Sequence, residues 1–146
     1  MKTNRGCEVK MIFGYILETA NGLLIHNKFF KIDPSVDMDL VASIFNAICS
    51  FTKTVLNEPV EEILTKGNQI VVAHSDKVML LLISQTNTAM AKQLTKKFVK
   101  IFSNKLQTEN TFVVCDELLI KIKNELADLE REITEVNEKQ MHQSYV

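Results

Sequence analysis

GYILETANGLLIHNKFF, residues Gly14 to Phe30, is a pair of apolar runs turned about Asn21-Gly22. Both turn residues tolerate positive φ at little cost, and Asn-Gly between two apolar runs is a strong hairpin signal. The arms span Val9 to Leu17 and Leu23 to Phe30. In the first, Val9, Met11, Phe13, Tyr15 and Leu17 share one face, and Ile12 and Ile16 lie on the other. A strand apolar on both faces needs cover on both, so this arm reads as a central strand. In the second arm Leu24, His26 and Lys28 alternate with Leu23, Ile25 and Asn27, the pattern of a half-exposed strand near a sheet edge.

Downstream the period changes. Lys31-Ile32-Asp33-Pro34-Ser35 is a turn whose Asp and Ser are natural helix caps. From Asp37 to Leu56, Leu40, Ile44, Ile48, Phe51 and Val55 recur at three and four residues, which predicts a helix ended by Asn57-Glu58-Pro59. At 100° per residue the apolar arc also takes in Met38, Val41, Phe45 and Leu56. Part of that width is expected to face the sheet, and the shoulder at Met38, Phe45, Cys49 and Leu56 to face something else.

Three short strands follow, Val60 to Thr65, Gln69 to His74 and Val78 to Ser84, joined by tight turns that imply antiparallel pairing. The last, VMLLLIS, is again apolar on both faces. Asn87-Thr88 caps a second helix over Ala89 to Lys105. Met90, Leu94, Phe98, Ile101 and Phe102 line its buried side, and Lys92, Lys96, Lys97 and Lys100 line the other. That lysine face suits an acidic protein partner or anionic lipid headgroups, or simply solvent. Gln107 to Thr111 is a polar break. A last helix is predicted over Asp116 to Gln140, where Leu119, Ile122, Leu126, Leu129, Ile133 and Val136 form a heptad seam. Such a seam either lies back on its own domain or builds an intermolecular coiled coil. The division expected is a core over 1–106 and a linker plus C-terminal helix over 107–146.

Composition removes several classes. With 146 residues, one domain with its own core is the expectation. A formal net charge of −1 provides no general attraction for nucleic acid. Three cysteines, Cys7, Cys49 and Cys115, are odd in number and far apart, which argues against a disulfide framework and suits a reducing cytoplasm. No continuous apolar run nears the roughly 20 residues of a membrane span, so membrane contact is expected to be peripheral at most. His74-Ser75-Asp76 holds the residue types of a hydrolytic triad, but adjacent hairpin residues cannot align them, and a turn explains the sequence better. No metal-ligand spacing surrounds the histidines, and no phosphate-loop motif is present. Neither a catalytic residue, nor a metal, nor a cofactor is expected. An enzyme using His26 or His74 ranks last.

The order strand, strand, helix, three strands, helix, helix resembles the longin domain of the longin/roadblock superfamily. The features that carry the resemblance are the hairpin around ETANGLLI, the first helix MDLVASIFNAICSF and the strand trio EEILTKGNQIVVAHSDKVMLLLIS. Only about eight unpatterned residues precede Val9, where roadblock domains have a helix, which favours longin. The resemblance implies an α+β fold: a five-stranded antiparallel sheet, ordered β-β-α-β-β-β-α-α, with one helix on one face and two on the other. It also implies a non-enzymatic adaptor that binds a small GTPase or dimerises with another longin or roadblock domain in membrane traffic. Longin-bearing SNAREs continue into a longer coiled-coil motif, so a stand-alone subunit is expected. Alternatives are a roadblock-like GTPase regulator and an assembly subunit driven by the C-terminal seam.

Overall fold

The Asn21-Gly22 turn closes as its chemistry requires. Gly22 N donates to Thr19 O at 3.0 Å, Thr19 N donates to Leu23 O at 2.8 Å, and Gly22 takes a φ of 94°. The computed structural model describes residues 11–30, 35–85, 89–106 and 115–144. Around this turn stand β1 (Ile12–Thr19) and β2 (Leu24–Phe29), followed by α1 (Met38–Leu56), β3 (Glu62–Leu64), β4 (Asn68–His74), β5 (Val78–Gln85), α2 (Ala89–Lys105), α3 (Cys115–Lys121) and α4 (Lys123–Ser144). Val9, the turn at Lys31 to Pro34, the Asn87-Thr88 cap and the break at Gln107 to Thr111 lie outside the described residues.

The five strands form one antiparallel sheet in the order β2-β1-β5-β4-β3. β1 and β5 are interior, which is why both are apolar on two faces. One expected face assignment is corrected. Ile12 packs in the same cluster as Tyr15 and Leu17, because the β1–β5 register shifts between Ile12 and Gly14 and inverts the alternation there.

α1 alone covers one face of the sheet, while α2, α3 and α4 cover the other. The larger core lies under α2–α4, where Tyr15, Phe98 and Phe102 are among the fully buried side chains. The expected last helix is interrupted at Ile122 and becomes α3 and α4. Its seam folds back in cis: Ile122, Leu126, Leu129, Ile133 and Val136 are buried with β1, β5 and α2, and Leu119 packs half-buried beside them. A coiled coil between chains through this seam is therefore overturned, since the apolar surface it needs is already used.

Asp37, where the periodicity places the start of the helix, is the N-cap of α1. The Asp37 carboxylate accepts from Asp39 N at 3.0 Å and Leu40 N at 3.4 Å. The helix ends at Asn57, whose φ of 56° is the left-handed cap Asn adopts readily.

Candidate interaction surfaces

His26 stands on β2 opposite Leu17, its ring 6.0 Å from that of Tyr15. The Tyr15 hydroxyl donates to Glu130 of α4 at 2.6 Å, and Lys28 reaches the same carboxylate at 3.2 Å. Burial, followed by the hydrogen bond to Glu130 and then its charge, pushes the Tyr15 hydroxyl far above its usual range, and burial holds the His26 imidazole below its own. This cluster clamps the hairpin to α4. His74 Nε2 pairs with Val60 O at 3.1 Å, while Ser75 Oγ accepts from Lys77 N at 3.2 Å and Val78 N at 3.0 Å. The His-Ser-Asp run is thus a turn, with the histidine bonded to the Val60 carbonyl and the serine to the turn backbone.

A second polar feature stayed invisible to the pattern reading. Asn137, on α4, accepts from Ile12 N at 2.8 Å and donates to Ile12 O at 2.9 Å. Its amide completes the backbone pairing that the β1 irregularity leaves open. Glu18 is the reverse case. It is wholly buried on the Ile16 side of the sheet, under α1, and neither carboxylate oxygen has a partner among the described residues. Burial raises it to about 8, and it in turn adds to the upward push that burial gives the Cys49 thiol. Glu18 sits at the alternation step after Ile16, so its inward direction was readable, whereas its lack of partners was not.

The first surface belongs to α1. Met38, Val41 and Phe45 pack on the sheet with buried Cys49 and Ala42, so the shoulder expected to face outward is corrected: it faces the sheet. Leu56 shares that inner arc by angle but lies at the helix end and is exposed. The stripe expected to face the sheet is the one left outside, with Leu40 58%, Ile44 49%, Ile48 39%, Phe51 68% and Val55 59% exposed. The physical reason is size. A helix lying close on Ile16, Val72, Met79 and Leu81 needs small side chains at the contact, and Ala42 and Cys49 supply them. By length and composition alone, α1 is also apolar enough to cross a membrane. Its only charges are Asp39 and Lys53.

The second surface is a groove of about 560 Å³ between α2 and the outer part of the sheet. Val71, Ala73 and Val99 line it, Pro59, Val60 and Glu61 form one wall, and Lys92, Lys96 and Lys100 form the other. The lysine face predicted for α2 is split by its neighbours. Lys97 is taken by Glu132 of α4 at 2.9 Å, and Lys92 by Glu62 at 3.6 Å. Lys96 and Lys100 have no acidic partner among the described residues. No cluster of His, Cys, Asp and Glu able to hold a metal occurs among them either.

The roadblock/LC7 domain from Streptomyces avermitilis superposes with a TM-score of 0.56 at 15% identity, covering 70% of this chain and 91% of that one. This chain has the roadblock/longin fold. The mammalian SRP receptor structure aligns over 86% of this chain and 97% of its own at 17% identity and a TM-score of 0.48. The gliding protein MglB from Thermus thermophilus aligns over 60% and 72% at 16% identity and a TM-score of 0.47. No family model and no curated protein sequence matches. The roadblock/longin sheet thus carries, in this chain, one helix with an uncovered apolar face and one flanking groove walled by lysines.

Proposed function

We propose that this chain is a non-enzymatic interaction subunit of the longin/roadblock type, in which a second longin or roadblock domain covers the outer face of α1. The observation that carries this is the exposed stripe from Leu40 to Val55. A helix apolar on both sides belongs inside a structure, and here only its inner side has cover. Ser43, Ala47, Ser50 and Thr54 run beside the stripe on one flank, and small residues there admit close approach of a second helix. At 19 residues the helix is about 28 Å long, room for a partner helix packed at about 8–10 Å. A role as adaptor to a small GTPase in membrane traffic is what the family resemblance implies for such a pair. Exchange-type regulation would be a property of the assembled pair.

Light scattering on the purified chain tests the central claim. The expected result is a dimer that becomes a monomer in the double variant Ile44→Asp, Phe51→Asp with the fold intact by circular dichroism. A monomeric native chain that also captures no longin, roadblock or small-GTPase partner from lysate would sink the reading. Flotation of the native chain with neutral vesicles, lost in the double variant, would instead identify α1 as a membrane-contacting helix and overturn the protein-pairing reading.

A further inference from the structure

We infer that the groove between α2 and the β3–β4 side of the sheet receives an extended acidic peptide segment of a protein partner, with acidic and apolar residues in alternation. This site is separate from α1 and does not depend on what covers that helix.

Charge is the first argument. The acidic outer side of α4 meets α2 on one flank and engages Lys97 through Glu132 and Lys105 through Glu125 at 3.8 Å. On the other flank Lys92 holds Glu62 at the groove's end, and Lys96 and Lys100 are left facing an open groove. Among the described residues Lys92, Lys97 and Lys105 are each matched to a carboxylate of this chain, whereas Lys96 and Lys100, beside the groove, have none. Glu61 is the acid on the opposite wall, and it sets the side from which an acidic ligand is repelled toward α2.

Spacing is the second argument. Lys92, Lys96 and Lys100 are four residues apart, so they step along the helix by about 6 Å. Alternate residues of an extended strand step by about 6.6–6.8 Å. Carboxylates at every second position therefore keep pace with the lysine row over its two steps. The intervening side chains point the other way, toward Pro59 and Val60, which with Val71, Ala73 and Val99 form the apolar part of a lining that also holds Glu61, His74, Ser75, Ser103 and Asn104. A volume of about 560 Å³ lies within the range of ordinary ligand sites, about 300–1,000 Å³. A flat bilayer suits this shape poorly, because the lysines line a concavity whose opposite wall would stand between them and the headgroups.

Fluorescence anisotropy with a panel of labelled nine-residue peptides tests the inference. Each peptide alternates Glu or Asp with Leu, Ile, Val or Phe, and each has a control of equal composition with the acidic residues in one block. The alternating peptides should bind saturably, at least tenfold tighter than their controls, and weaken as salt is raised. The double variant Lys96→Glu, Lys100→Glu should lose at least tenfold in affinity while keeping the native oligomeric state, which separates this site from α1. The inference is overturned if no alternating peptide saturates, if the block controls bind equally, or if the double variant binds as well as the native chain. It is equally overturned if the native chain binds no peptide but co-sediments with vesicles containing 30% phosphatidylserine in a manner that the double variant abolishes.

Discussion

Glu18 is a carboxylate placed where ionisation is penalised. Folding raises it to about 8 from an ordinary 4.5, so the folded chain keeps a proton that the unfolded chain releases between those values. Stability therefore falls as pH rises from about 4.5 to about 8 and levels off above. His26, held below its usual value, works in the opposite direction, but only below its ordinary 6.5. Thermal melts between pH 6.5 and 8.5 consequently isolate Glu18. The native chain should lose melting temperature across that interval, and Glu18→Gln should flatten the trend; each 1 kcal/mol corresponds to roughly 2–4 °C at this chain length. An equally steep decline in the variant would show that another group is responsible. Asn137 gives the complementary prediction. Replacing it with Ala strands Ile12 N and O together, and urea denaturation should show a loss of about 1–3 kcal/mol.

At the scale of elements, legibility followed how many solutions each pattern allowed. β1 and β5 were readable because a strand apolar on both faces has one home, the sheet interior. The hairpin was readable because Asn21-Gly22 fits few other structures. α1 was located to within a residue, but its orientation was not, because both of its arcs are apolar at helical spacing. Leu40 to Val55 is uniformly large, whereas the arc the sheet took carries the small, buried Ala42 and Cys49 among Met38, Val41 and Phe45. The break at Ile122 was hidden because the heptad seam runs through it without a polar residue or glycine. These orientations can be measured by paired substitutions. Leu129→Ala removes a fully buried side chain of α4 and should cost about 2–5 kcal/mol in urea denaturation. Ile44→Ala on the outer stripe should cost well under 1 kcal/mol when measured at concentrations where the chain is monomeric. Similar losses at both positions would mean that α1 is seated the other way round.

At the scale of the molecule, the two faces of the sheet are covered unequally, and this asymmetry decides which segments are indispensable. α2, α3 and α4 share one continuous cluster with Ile12, Tyr15, Leu17, Leu80 and Leu82. The C-terminal helices were separable in the sequence, since a polar stretch precedes them and their seam alone could serve another chain. In the fold they supply one wall of the larger core, fixed by the Asn137 amide and by the Glu130 carboxylate that Tyr15 and Lys28 share. Removing everything after Leu106 would uncover Ile12, Tyr15 and Phe102, all fully buried, along one side of the sheet. With apolar burial worth about 25 cal/mol per Å² and net stabilities of only about 5–15 kcal/mol, the truncated chain should lose its cooperative thermal transition and bind a hydrophobic dye. Adding the 107–146 segment in trans should restore protection of β1 amides from exchange if that wall re-forms. A truncated chain with a sharp, native-like transition would place the C-terminal helices outside the folding unit, and their seam would again be free for a partner.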